Sequence, residues 1–215
     1  KFNPAEYLDD LPDTIISLNE NKKILNILKK IYGNDIGLFR ARVMIKDNLS
    51  KNPIKLHDDF SYQIGFQNKV SVFLALSKVN KRNGGLQLFC GTHKFGYLGD
   101  AGHINSKLLD SNWPVFNVNI NPGDFVVMNS SLWHRSGHNV SKSDRVLTDF
   151  IYQPAKDYST KKIVSGKVKI VKNFMNTDSD SNIISPYVRT IKLSKSFFLD
   201  SRSIKLQKFN EKINV

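Results

Sequence analysis

Apolar residues recur at two different intervals along this chain, and the change of interval divides it. Ile24, Ile27, Leu28 and Ile31 follow the three-and-four spacing of a helix face, with Gly33 as a natural stop. An amphipathic helix is therefore expected over 20–32, packed on a sheet. From Phe39 onward the interval drops to two. Val70, Val72, Leu74 and Leu76 alternate with Ser71, Phe73, Ala75 and Ser77, the period of a strand whose side chains point to opposite faces. Strands are expected over 39–46, 70–79, 85–90, 115–120, 124–134 and 145–153. Residues 1–18 are acidic and hold Pro4 and Pro12, which reads as an irregular lead-in. The long stretch from Lys94 to Pro114 is expected to be a loop bordering a pocket.

With 215 residues and 40% hydrophobic content, the chain can bury a sizeable core within one domain. It has no apolar run of about 18 residues, so no membrane span is expected. One cysteine, Cys90, excludes an internal disulfide and fits a reducing compartment, so a cytoplasmic location is expected. The chain begins at Lys1, so a preceding segment is expected to be missing, and a cleaved signal peptide stays open. The net charge of +13 is concentrated late: residues 156–215 carry 13 Lys and Arg against 5 Asp and Glu. A basic tail can bind nucleic acid, a membrane surface or an acidic substrate. Here the lysines are spread between apolar residues, as on a solvated face, which argues against nucleic acid. Nothing in the sequence fixes an oligomeric state.

Three short stretches carry the candidate chemistry. His57-Asp58-Asp59 lies early, Trp133-His134-Arg135-Ser136 late, and Arg145 eleven positions after His134. In an extended segment the side chains of His57 and Asp59 share a face, and His134 can join them from a neighbouring strand. Two imidazoles and a carboxylate form the iron-binding face of non-haem Fe(II) oxygenases, which leaves three positions open for co-substrate and dioxygen. Asp58 is the alternative carboxylate, one residue out of register. Arg145 opens an apolar run after the turn-like Ser141–Asp144, so His134 and Arg145 are expected to face each other across a hairpin. A buried guanidinium needs a partner, and the far carboxylate of 2-oxoglutarate would accept a forked pair of bonds from it, with the Ser136 hydroxyl helping. Such bonds contribute about 1.5–3 kcal/mol each.

Beyond these stretches, Leu56–Phe60, Val72–Leu76, Asn83-Gly84-Gly85-Leu86-Gln87-Leu88-Phe89-Cys90-Gly91-Thr92-His93-Lys94, Asn121-Pro122-Gly123-Asp124 and His134–Asn139 followed by Arg145 resemble the phytanoyl-CoA dioxygenase family in their order. The resemblance covers about residues 20–155. It implies a mainly β fold, a double-stranded β-helix or jelly roll of cupin-like form with flanking helices. On that basis the whole chain, 1–215, is one oxygenase domain: lead-in and helix over 1–35, jelly-roll core over 36–155, basic extension over 156–215. The resemblance further implies a dioxygenase that takes Fe(II), 2-oxoglutarate and O2, hydroxylates an unactivated carbon of a small or lipid-like molecule, acidic ones included, and releases succinate and CO2. His57, Asp59 and His134 would be the iron ligands, Arg145 the co-substrate anchor and Phe73 an aromatic wall beside it. Halogenating relatives replace the carboxylate ligand with a small residue, whereas Asp59 is present here. Cys90 stands where the family commonly has proline, and nothing after residue 155 matches it.

Simpler readings compete at each position. A histidine beside two aspartates is more often a surface hydrogen-bonding cluster than a metal ligand, and only the addition of His134 and Arg145 outweighs that. His138 is a rival to His134 but is expected to cap a turn; His93 is expected to bond within its loop, and His103 has no supporting context. Arg42 and Lys46 are read equally well as carboxylate partners or as surface residues. The competing function classes are a tailoring oxygenase for a sugar or secondary metabolite and a catalytically silent jelly-roll binding protein.

Overall fold

The computed structural model describes residues 6–8, 11–47, 53–63, 65, 69–96 and 104–168. His103 and the basic extension beyond residue 168 lie outside them. Two antiparallel sheets face each other. The larger runs β1 (Glu6–Leu8), β2 (Ile36–Lys46), β9 (Arg145–Pro154), β4 (Val70–Leu74) and β7 (Phe125–Asn129), with β10 (Lys162–Ser165) also paired to β2. The smaller runs β3 (Ile54–His57), β8 (His134–Ser136), β5 (Leu86–Phe89) and β6 (Val115–Asn117). This is a jelly roll that stays open as two sheets instead of closing into a barrel.

A short helix, α1 (Asp13–Ile16), precedes α2 (Lys22–Tyr32). The Asn21 side chain caps α2 by accepting from the Lys23 amide, and Gly33 ends it at φ 77°, a conformation glycine adopts without a Cβ clash. Ile24 and Leu28 are fully buried against Val70, Val72, Leu74, Phe150 and Tyr152 on the outer face of the larger sheet. Each such burial contributes about 1.5–3 kcal/mol. Ile27 and Ile31, expected in the same stripe, remain substantially exposed on its flank.

The other face of the larger sheet meets the smaller one. Met44, Phe73, Met128 and Leu147 pack against Leu86, Leu88 and Val118. Both faces of β4 are therefore buried, and its alternation separates two cores instead of core from solvent.

Two expectations need correcting. The strand expected over 124–134 is two strands in different sheets. Asn129 breaks it: its side chain accepts from the Ser131 amide and its carbonyl from the Leu132 amide, closing a turn that carries the chain across the sandwich. The expected hairpin between His134 and Arg145 is absent for the same reason. β8 pairs with β3 and β5, whereas β9 pairs with β2 and β4, so the two residues face each other from opposite sheets.

Candidate metal centre

His57 closes β3 and His134 opens β8, and the two are direct partners in the antiparallel register. Their rings lie 4.3 Å apart between centroids. Asp59 joins them by a route the sequence did not indicate. β3 ends at His57, and Asp59 sits beyond it with helical φ and ψ at the start of a 3-10 turn over Phe60–Tyr62. What holds Asp59 is the crossing turn, because Ser130 O accepts from the amides of Asp59 and Phe60 at 2.9 and 3.0 Å. Asp59 Oδ1 lies 3.8 Å from His57 Nε2 and 3.6 Å from His134 Nε2. Asp58 turns away, accepting from the amide and hydroxyl of Ser61 at 2.8 Å each. Among the described residues it is Asp59, not Asp58, that groups with the histidines, with one donor atom from each residue within 4.8 Å of the others.

The protonation pattern suits a cation. His57 Nδ1 lies 2.7 Å from Lys55 O and His134 Nδ1 lies 2.9 Å from Leu132 O. A carbonyl only accepts, so each ring carries a proton on Nδ1 and turns Nε2 toward Asp59. Burial works to raise the Asp59 carboxyl, but His134, His57, Arg42 and the Ser71 hydroxyl outweigh it and hold it below the usual carboxylate range. Ser71 Oγ donates to Asp59 Oδ2 at 2.9 Å, leaving Oδ1 toward the imidazoles. Two imidazoles and an ionised carboxylate on one face make a donor set that fits a divalent transition metal.

The triad lies in a cleft of about 340 Å³, part of it open to solvent, between the two sheets. Phe73, Ser136 and Arg145 line the same cleft, so the six residues expected to carry site roles converge there. Phe73 places its ring 6.3 Å from that of His134. Arg145 and Lys46, register partners on β9 and β2, are fully buried. Lys46 Nζ donates to Ser136 Oγ at 3.0 Å and to Gly137 O, which removes the surface reading of Lys46. Burial, and then the neighbouring Arg145 charge, lower Lys46 to about 8. At the other end Arg42 donates from Nε to Asp149 Oδ2 at 2.6 Å. Burial and the nearby Asp59 raise the Asp149 carboxyl, with Arg42 and Arg40 opposing. His138 and His93 are exposed and outside the cluster.

Ser71, Ser130 and Asp149 were not singled out from the sequence. Ser71 carries a faint signal as the one polar residue of β4, whereas Asp149 shares β9 with Arg145, Thr148 and Gln153 and does not stand out. Ser130 acts through its backbone and carries none.

Several solved structures share this fold. The epimerase SnoN, in complex with Fe3+, alpha ketoglutarate and nogalamycin RO, is 21% identical with a TM-score of 0.64, over 72% of this chain and 65% of that one. The alpha ketoglutarate dependent carbocyclase SnoK from nogalamycin biosynthesis is 19% identical with a TM-score of 0.61, over 72% and 65%. EctD from S. alaskensis, with 2-oxoglutarate and 5-hydroxyectoine, is 17% identical with a TM-score of 0.62, over 70% and 56%. An uncharacterized protein of Saccharomyces cerevisiae is 29% identical over 40% of this chain, which spans only 23% of that relative. The chain is thus shorter than these relatives and covers less than two thirds of SnoN, SnoK and EctD. A family model described as phytanoyl-CoA dioxygenase matches residues 3–147, a span that takes in β1 through β8 and reaches Arg145. The ordered motifs, the two-sheet fold and that match agree: the chain belongs to the phytanoyl-CoA dioxygenase family.

Proposed function

We propose that this protein is an Fe(II)- and 2-oxoglutarate-dependent oxygenase that hydroxylates an unactivated carbon of a small molecule. The observation that carries this reading is the His57, Asp59 and His134 donor face, set in a cleft whose buried end holds Arg145. His57 and His134 would hold the metal through Nε2 and Asp59 through Oδ1. When bound, iron with 2-oxoglutarate supplies an oxidation in which one O2 converts a substrate C–H to C–OH while the co-substrate becomes succinate and CO2.

The chain's own groups do the rest. Arg145, with Ser136 and Lys46 beside it, would receive the far carboxylate of 2-oxoglutarate through charge-assisted bonds. Phe73, Met44, Leu86 and Ile54 give the cleft apolar walls that exclude water from the reacting atoms. Ser71 orients Asp59, and the carbonyls of Lys55 and Leu132 orient the imidazoles.

Hydroxylation is favoured by the presence of Asp59, which leaves no position for a halide ligand. Similarity to an epimerase and a carbocyclase means that the product itself must be identified. Anaerobic Fe(II) plus 2-oxoglutarate is expected to give a weak visible charge-transfer band. A band and an iron affinity that survive both Asp59→Ala and His134→Ala would remove the assignment. Succinate release across small acidic, lipid and sugar substrates, with the product's mass increase read in parallel, then identifies the reaction.

A further inference from the structure

One ion pair beside the triad, half-buried at Arg42 and buried at Asp149, has no task in the roles given so far. Arg42 and Asp149 are register partners on β2 and β9, on the cleft side of the larger sheet. Asp149 is fully buried, and among the described residues its Oδ1 meets no hydrogen-bond partner. Arg42 lines the same cleft as Asp59. On β4, Ser71 holds Asp59 Oδ2 and pairs in register with Ile151, two residues along β9 from Asp149. Two carboxylates, Asp59 and Asp149, therefore act on one guanidinium, and Asp149 lies on the strand directly beside the residue that orients Asp59.

A stabilising role explains this arrangement poorly, since a buried ion pair is often no better for stability than apolar groups of the same volume. Its charge matters more to the neighbouring site. A guanidinium next to a divalent cation repels it, and one released from its anchor could pair with Asp59 and compete for the carboxylate the cation needs. We infer that Asp149 is a positioning residue for the metal centre: by holding Arg42 at Nε and offsetting its charge, it keeps the Asp59 carboxylate available to a divalent cation. This rests on the reading of His57, Asp59 and His134 as the metal-binding face.

The test is Co(II) titration of the full chain, followed by its visible absorption, without co-substrate and on samples matched for folded fraction by circular dichroism. Asp149→Asn is expected to weaken Co(II) binding about 10–100-fold, the usual reach of a group that acts through a ligand. The double variant Arg42→Gln with Asp149→Asn is expected to recover most of that loss, because the stray cation is gone. A merely structural pair would move the melting midpoint and leave Co(II) affinity per folded molecule unchanged in both variants. Wild-type affinity in Asp149→Asn, or a double variant as weak as the single, overturns the inference. Should Asp149→Asn fail to fold, Arg42→Gln alone decides: affinity equal to or above wild type supports the inference, and a tenfold loss overturns it. Asp59→Ala runs alongside as the control, since Co(II) binding that persists there condemns the triad reading itself and not the role of Asp149.

Discussion

At the scale of single residues, the site separates groups that would touch metal or co-substrate from groups that only hold those in place. Arg145 is proposed to be of the first kind, and Arg145→Ala is expected to cost about 1.5–3 kcal/mol of 2-oxoglutarate affinity per lost charge-assisted bond, with iron affinity largely kept. Arg145→Lys should recover part of it, because a point charge cannot reproduce the planar fork. Equal 2-oxoglutarate affinities in iron-loaded wild type and Arg145→Ala would withdraw Arg145 from that role. Asp58 belongs to neither kind. Its bonds to Ser61 cap a local turn, so Asp58→Asn should keep metal binding and lower stability by about 1 kcal/mol, as judged by denaturant melts. Loss of metal in Asp58→Asn, with Asp59→Asn tolerated, would shift the ligand by one position. Which three donor residues come together was legible in the sequence, but the reason for their proximity was not. Strand periodicity suggested that His57 and Asp59 share an edge; in the structure a backbone contact from Ser130 puts Asp59 there, and a carbonyl leaves no trace in residue type.

Elements were legible where an apolar pattern alone decides them and obscure where a polar side chain redirects the backbone. The helix and the strands over 36–46, 70–74, 86–89 and 145–154 follow periodicity. The division of 124–134 does not, because apolar residues on both sides, Val126 and Val127 before and Leu132 and Trp133 after, suggest one strand while Asn129 turns the chain from one sheet to the other. Asn129→Ala is expected to lower stability by about 1–3 kcal/mol, through the Ser131 amide left without its acceptor. It should also weaken Co(II) binding, because Ser130 and therefore Asp59 depend on that turn. On α2, by contrast, Leu28→Ala should cost about 2–5 kcal/mol of stability and leave metal affinity per folded molecule unchanged, since this helix covers the far face of the larger sheet. Metal affinity that follows stability in both variants alike would mean the site has no local scaffold of its own.

Across the whole molecule, two buried lysines set an unusual response to alkali. Burial lowers Lys46 to about 8, with Arg145 adding to the effect, and burial lowers Lys69 to about 8 against the opposing pull of Asp157. The native state thus gives up these protons before the unfolded chain does, whose lysines stay charged to about pH 10.4. Between those limits the unfolded chain binds more protons, so stability rises with pH from about 8 and is lost as pH falls back through 8. Burial of the Tyr32 and Tyr152 phenols raises both and opposes the trend above about pH 10. Denaturation midpoints should climb between pH 8 and 10, and Lys46→Met should flatten part of the climb; a flat wild-type curve would show that neither lysine is depressed. The exposure gradient along the cleft has a kinetic counterpart. Arg42 and His57 keep 20% and 16% of their side-chain surface at one end, whereas Arg145 and Lys46 at the other have none. Such a passage is a blind alley. Whatever occupies its innermost berth must arrive first and depart last, so saturating substrate should trap unspent co-substrate, and chasing labelled 2-oxoglutarate with cold should release it more slowly once that outer guest is seated.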